Sequence, residues 1–339
     1  MTPPDPAAIQ HVLQLATGYM VSAAVGVVAR LGIPDRLAAG PRSTADLSHD
    51  VGANEDALYR TLRALAMAGL FTETSPRTFA LTPAGELLQT GVPGSVRDLA
   101  MFLCDDFHFR MYAETLHAVR TGEPVGAKVV GMPIFEYLQQ DPELSARFNN
   151  AMTNFSASVA PAALKAYDFS GIDVLVDVAG GHGMLLGSIL ERYPQMRGIL
   201  FDLDHVVAGA TVFDMLGVRN RVETTSGDFF AAVPAGGDAY LMKHIIHDWD
   251  DERAGVILRN IRTALAGKPN GRLILLDAVV KPGNEPDLNK LIDLEMLLLP
   301  GGRERTEAEF AALFSANGFQ LTRVVPTESP LAVIEGKVR

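Results

Sequence analysis

Apolar and polar residues follow two different rhythms along this chain, and the change falls near residue 170. Before it the apolar positions have helical spacing. Residues 7–31 carry Ile9, Val12, Leu13, Leu15, Tyr19, Met20, Val25 and Val28, which predicts one long helix, apolar on more than one face and so buried beyond its own domain. Ser43-Thr44-Ala45-Asp46 reads as a capping box, and Asn54 caps a second helix through Met67, ending near Gly69. Residues 71–81 form two short strands around Ser75-Pro76, and Thr82-Pro83 opens another helix. Two short helices and a small hairpin make a winged-helix pattern. A further long helix is expected over 95–120, with Met101, Phe102, Phe107, Phe109, Met111 and Tyr112. Residues 121–133 read as loop, 135–138 and 142–167 as helix, and Ser170-Gly171 as a linker.

Beyond the linker, short aliphatic runs alternate with helical segments. Strands are expected at 174–178, 198–201, 222–225, 239–242 and 272–280, with a closing pair at 319–325 and 331–336. Such alternation implies a mostly parallel sheet with helices on both faces and ligands at the carboxyl ends of the strands. The first of these strands runs into Ala179-Gly180-Gly181-His182-Gly183. Gly180, Gly181 and Gly183 leave backbone open to a ligand, and the N–H groups of the following helix point back at the turn. About twenty residues on, the second strand ends in Asp202, placed to accept from both hydroxyls of a ribose.

That unit points to a nucleoside-bearing cofactor. A dinucleotide fingerprint needs a third glycine, where this chain has Leu186 or Met184, and no Gly-Lys-Ser/Thr P-loop follows. S-adenosylmethionine fits what remains: one ribose, no phosphates and a compact amino-acid end.

Composition narrows the class. At 339 residues the chain is long enough for two domains, and its net charge of −11 argues against a nucleic-acid surface. Residues 1–100 hold nine acidic and seven basic side chains, so the winged-helix pattern is not read as a DNA binder. Cys104 is the only cysteine, which excludes intrachain disulfides and cysteine zinc sites. No apolar run reaches membrane-spanning length, and Met1-Thr2-Pro3-Pro4-Asp5-Pro6 lacks the basic start of a signal peptide, so a cytoplasmic location is expected.

Candidate chemistry sits after the later strands. Asp228 of Gly227-Asp228-Phe229-Phe230 can accept from an adenine amino group and Phe229 can pack on its ring; the plainer role is a cap beside core aromatics. His244 and His247 follow the fourth strand and are candidate bases, although a lone histidine is more often structural. Asp250, Asp251 and Glu252 read as first-turn helix acids, and no metal is expected. Asp277 ends the next strand, and Glu304 lies in Pro300-Gly301-Gly302-Arg303-Glu304-Arg305-Thr306 before a Thr306-capped helix. With His247 they supply a base and two carboxylates able to orient it.

These motifs, in this order, resemble the small-molecule O-methyltransferases related to caffeic acid and acetylserotonin O-methyltransferases and to bacterial antibiotic-tailoring enzymes. Asp177-Val-Ala-Gly-Gly-His-Gly183, Phe201-Asp202-Leu203, Gly227-Asp228-Phe229-Phe230, His247-Asp248-Trp249 and Gly301-Gly302-Arg303-Glu304-Arg305-Thr306 carry the resemblance, together with residues 58–65 and 79–82. It implies an α/β class I methyltransferase, Rossmann-like, with a helical winged-helix-like dimerisation domain over 1–100, connecting helices over 101–170 that contribute to the substrate pocket, and a cofactor domain over 171–339. It implies S-adenosylmethionine as cofactor, held by Asp177, Gly180, Gly181, Gly183, Asp202, Asp228 and Phe229 with Lys243 nearby. It implies His247 as general base bracketed by Asp277 and Glu304, an aromatic acceptor and a homodimer. Ala179 and His182 depart from the family's usual glycine and Thr or Ser, and Asp277 from the glutamate of the plant enzymes. Met101, Phe102, Phe107, Met111, Met152, Phe155, Trp249, Met296 and Leu299 are candidate pocket residues. Methylation of a heteroaromatic nitrogen and a non-catalytic small-molecule sensor remain as alternatives.

Overall fold

The structure, a computed structural model, describes residues 5–339; Met1–Pro4, part of the stretch read above for a signal peptide, lie outside it. The chain divides into two compact units that part between Arg110 and Met111.

In the first unit the helix expected over 7–31 is two helices, Pro6–Ala16 and Gly18–Arg30, bent by 42°. The break has a local cause. The Thr17 hydroxyl donates back to the Leu13 carbonyl at 2.8 Å, and Gly18 follows without a side chain to stiffen the turn. No residue of Pro6–Ala16 is buried, and Ile9, Val12, Leu13 and Leu15 are exposed. No single helix among the described residues is long and apolar enough to cross a membrane, although this bent pair passes by length and composition. Ser43 caps Thr44–Val51 through the Asp46 N–H, and its hydroxyl donates to the Asp46 carboxylate, so the reciprocal half of a capping box is absent. Asn54 caps Glu55–Met67 as expected. Strands β1 (Arg42–Ser43), β2 (Phe71–Ser75) and β3 (Thr78–Leu81) form an antiparallel sheet in the order β1-β3-β2. Leu47, Leu58, Leu62, Leu65, Phe71 and Phe79 pack with Val28 and Ile33 as its core.

Two further expectations are corrected. Residues 95–120 form three short helices, Arg97–Leu103, Asp106–Tyr112 and Thr115–Thr121. Asp105 interrupts the first two by accepting from the Phe107 N–H, a capping geometry inside what its apolar spacing presents as one helix. The stretch 121–133 contains a short helix, Gly126–Val130.

The second unit carries a seven-stranded sheet: β4 (Val174–Val178), β5 (Arg197–Asp202), β6 (Val222–Ser226), β7 (Ala239–Lys243), β8 (Arg272–Asp277), β9 (Phe319–Pro326) and β10 (Ala332–Val338). Their order is β6-β5-β4-β7-β8-β10-β9, with β4 to β8 parallel and β10 antiparallel to both neighbours. Residues along each strand alternate between two cores. Leu175, Leu241 and Ile274 pack with Leu186, Ile189 and Phe213 on one face; Val176, Tyr240 and Leu275 pack with Ile257, Leu258 and Phe310 on the other. Strand β8 ends at Asp277, short of the expected Val280, because Val279 leaves the sheet to bridge Arg305.

The chain runs outward from β4 to β6 and then restarts at β7 on the other side of β4. That reversal opens a crevice at the carboxyl ends of the strands. The turn after β4 borders it tightly. A Cβ on Gly180 would sit 2.5 Å from the Asp177 carboxylate and 2.6 Å from Leu200. A Cβ on Gly183 would sit 2.1 Å from the Phe213 ring, and Gly183 has φ +81°. Ala179 accepts a left-handed φ of 56° despite its methyl group. Gly183→Ala should therefore cost about 2–4 kcal/mol, the sum of a left-handed alanine and an overpacked ring. Urea unfolding checks this; a Gly183→Ala variant as stable as wild type would contradict the fit.

Candidate active site

A cavity of about 470 Å³ lies at this crevice, within the usual range for a small-ligand site. The sequence-predicted residues Asp177, Gly180, Gly181, Asp202, Asp228, Phe229 and Lys243 line it, and Gly183 shapes the turn without lining it. Each sits where its strand ends. Asp202 closes β5 and accepts from the Gly181 N–H at 2.8 Å and the Leu203 N–H at 2.7 Å. Burial raises its carboxyl above the ordinary range, and those two N–H groups oppose the rise. Asp177, in β4, is pushed up to about 7 by burial and by Asp202, against the pull of Lys243. Its Oδ2 is buried without a partner. Lys243 is held below its usual value by burial, offset by Asp177, Asp277 and Asp248. Asp228 serves also as the plainer cap, accepting from the Phe230 N–H at 2.8 Å.

The three residues expected to do the chemistry come together behind the wall of the cavity. His247 is 5 % exposed and Asp277 is fully buried; neither these nor Glu304 lines the cavity. His247 Nδ1 lies 2.8 Å from Glu304 Oε1, and His247 Nε2 lies 3.5 Å from Asp248 Oδ1. With Nδ1–H donating to Glu304, a neutral ring keeps its lone pair on Nε2. Burial opposes charge on this ring, but Asp248, the Glu304 hydrogen bond and Asp277 outweigh it and raise the imidazole to about 9. Both Asp277 oxygens lack partners, and burial raises this carboxyl. Asp277 is thus near His247 without being bonded to it.

Several wall residues were not singled out by the sequence reading. Phe135, Phe148, Ile245 and Arg253 line the cavity, and Arg253 stacks over Trp249 at 4.2 Å and Phe230 at 4.7 Å. His182 lines it too and shares a 3.1 Å contact with Thr153. Of the nine candidate pocket residues, Met152 and Trp249 line the cavity and Phe155 stacks on His244. Met111, Met296 and Leu299 are buried but do not line it, and Met101, Phe102 and Phe107 belong to the first unit. Apolar character alone does not distinguish wall from core. His244, His247 and Asp277 bring ligand-type atoms within 4.8 Å of one another. Lys243, Arg305 and a protonated His247 already surround Asp277, so a dication there would face like charges.

Comparison with known proteins decides the family. Residues 112–320 match the O-methyltransferase domain and residues 13–91 the O-methyltransferase dimerisation domain. The chain belongs to this O-methyltransferase family. It is 42 % identical to the phenazine O-methyltransferase of Lysobacter antibioticus, over 96 % of this chain and 95 % of that one. It is 35 % identical to 8-amino-8-demethylriboflavin N,N-dimethyltransferase of Streptomyces davaonensis, over 98 % and 96 %. An O-methyltransferase from neocarzinostatin biosynthesis, solved with S-adenosylmethionine and 2-hydroxy-5-methyl naphthoic acid, is 31 % identical with a TM-score of 0.77, over 94 % of this chain and 96 % of that one.

The methyltransferase uses S-adenosylmethionine, and its crevice fits that cofactor on its own terms. The unpartnered Asp177 Oδ2 can accept from an ammonium group, the turn at Gly180 and Gly181 would be blocked by a side chain at Gly180, and Asp202 retains lone pairs for ribose hydroxyls.

What holds His247 opposite Glu304 in this methyltransferase is Arg305, the neighbour of Glu304. Its side chain is 1 % exposed. It donates to the Ile246 carbonyl at 3.0 Å, the Trp249 carbonyl at 2.8 Å and Asp251 at 2.7 Å. One guanidinium thus clamps the His247 turn to the Glu304 loop. The Arg303 N–H adds a bond to the His247 carbonyl at 2.8 Å, and a Cβ on Gly302 would sit 1.9 Å from that oxygen. Arg305→Met removes the guanidinium bonds to two carbonyls, of which Ile246 keeps the Trp249 N–H, and should lower stability by about 1–3 kcal/mol. Urea unfolding measures it; an unchanged midpoint would remove Arg305 from this role.

Proposed function

We propose that this methyltransferase acts on the hydroxyl of an aromatic small molecule, with His247 as general base, Glu304 fixing its ring, and a homodimer as the working unit. The observation that carries the base assignment is the 2.8 Å contact between His247 Nδ1 and Glu304. It leaves Nε2 as the nitrogen that takes a proton. The aromatic acceptor is supported by a wall containing Phe135, Phe148, Met152, Ile245 and Trp249, and by the phenazine and naphthoic acid acceptors of the relatives. The homodimer is supported by the match to a dimerisation domain and by the exposed Ile9, Val12, Leu13 and Leu15.

The bound cofactor supplies an electrophilic methyl group on a sulfonium. Asp177, Asp202 and the glycine turn would hold and orient it, with Asp228 and Phe229 on the adenine side. The carboxylates around His247 raise its imidazole to about 9 against the effect of burial, so an incoming positive charge favours its neutral, proton-accepting form. Lys243, His244 and Asp248 border the cavity beside it, and a positive charge arriving there disfavours the proton on His247. His247 then takes the hydroxyl proton as the oxygen becomes a nucleophile.

Replacing His247 with Gln should leave cofactor binding within a few-fold and lower turnover by about 10²–10⁴-fold on a weakly acidic phenol. The loss should shrink as the acceptor hydroxyl becomes more acidic. Labelled-methyl transfer to a graded panel of hydroxylated aromatics measures both. Near wild-type turnover in His247→Gln would move the reading to methylation of nitrogen, the chemistry named for the riboflavin-type relative.

A further inference from the structure

His182 stands in the turn after β4 and lines the cavity. Its neighbours Gly181 and Gly183 both have left-handed backbones, with φ 61° and 81°. Without side chains they leave this turn free to reorient, so it depends on its surroundings to be held. Two contacts reach it from either side. Asp202 accepts from the Gly181 N–H at 2.8 Å. His182 Nδ1 lies 3.1 Å from the hydroxyl oxygen of Thr153, on the helix Pro142–Ala166. The direction of that bond follows from the hydrogen count. The Thr153 hydroxyl donates its one hydrogen to the Asn149 carbonyl at 2.8 Å. Its oxygen is therefore the acceptor, and His182 donates through Nδ1–H. Burial lowers this imidazole below its ordinary value, against the pull of Asp202, so the ring is neutral at neutral pH. The other edge of the ring packs on the segment after β5, where a Cβ on Gly209 would sit 3.0 Å from Nε2.

The helix that accepts this bond also presents Phe148, Asn149, Met152 and Ser156 to the cavity. One imidazole thus bridges the glycine turn and a helix of the cavity wall. We propose that His182 is a positioning residue that couples the two ligands: with the glycine turn fixed by a bound cofactor, His182 holds this helix in place as the wall against which the aromatic acceptor lies. This rests on the O-methyl-transfer reading above for the nature of the acceptor. It adds that cofactor tightens acceptor binding, and by reciprocity that acceptor tightens cofactor binding by the same factor. The physical cause is the cost of ordering. The first ligand immobilises the turn and, through His182, the helix; the second binds to parts already held. Asp202, the Gly181 N–H, His182 and Thr153 form a contiguous chain of contacts for that coupling.

The test is calorimetric and uses the full-length protein. S-adenosylhomocysteine replaces the methyl donor, so no transfer occurs during the measurement. The probe acceptor is the phenol of the graded panel that wild type methylates with the highest kcat/KM. Its affinity is measured with and without saturating S-adenosylhomocysteine in wild type, His182→Leu, His182→Asn, Thr153→Val and the His182→Leu/Thr153→Val double variant. Asn can offer an amide N–H in place of Nδ1–H, and Leu cannot. Val keeps the branched shape of Thr without the hydroxyl. Binding of S-adenosylhomocysteine alone confirms that each variant folds.

In wild type the cofactor product should tighten acceptor binding by about fivefold or more. That factor should fall close to one in His182→Leu and in Thr153→Val, and Asn should restore most of it. The double variant should be no worse than either single one, because both remove the same bond. In turnover the acceptor KM of His182→Leu should rise more than kcat falls. Absence of coupling in wild type, a wild-type factor in His182→Leu or Thr153→Val, or equal losses in His182→Leu and His182→Asn would each overturn the inference while leaving O-methyl transfer intact. A wild-type protein that methylates no phenol on the panel overturns the underlying reading as well, which separates the two failures.

Discussion

The buried guanidinium of Arg305 is the interaction on which the rest of the site depends. It is nearly inaccessible to water, yet its hydrogen bonds go to backbone carbonyls and to an exposed aspartate rather than to a buried counter-ion. A buried charge must have its donors filled, so the loop that supplies those carbonyls is fixed to the loop that supplies the guanidinium. One loop carries His247, the other Glu304. The methyltransferase thus obtains a histidine–carboxylate contact from residues 57 positions apart without relying on either side chain to find the other.

The sheet decides where that pair sits. Asp202, Lys243 and Asp277 end strands, and Asp177 lies one residue before the end of β4, all on the side where the reversal of strand order opens the crevice. The outcome is a dense group of charges with little water. Its carboxyls are raised by burial, and His247 is raised by the carboxylates around it. Each group's protonation leans on its neighbours. In that setting a positively charged cofactor is an electrostatic event as well as a binding one, because it competes with protons for the same carboxylates.

Much of this was legible in the sequence. The β4 run and glycine turn, Asp202, the succession of strands along the chain and the cap at Thr306 all follow from local rules: period, turn chemistry and capping. Membership in the family was visible from ordered motifs. What was not legible arises from the choices of single side chains, some between near neighbours and some between residues distant along the chain. The break at Thr17 depends on one hydroxyl choosing a carbonyl, and the interruption at Asp105 on one carboxylate capping a helix inside an apolar run. Arg305 looks like a loop charge until its carbonyl partners are known. A left-handed non-glycine residue leaves no mark in composition or periodicity. Apolar residues such as Met296 were equally ambiguous, since core and pocket use the same side chains.

If His247 is the base, positive charge entering the cavity should draw a proton from it. Calorimetry in buffers of different ionisation enthalpy at pH 8 measures this directly, comparing S-adenosylmethionine with its uncharged thioether product. The account predicts net proton release with S-adenosylmethionine, less with S-adenosylhomocysteine, and loss of the difference in His247→Gln. Equal proton release for the two ligands, or a difference that survives in His247→Gln, would contradict it.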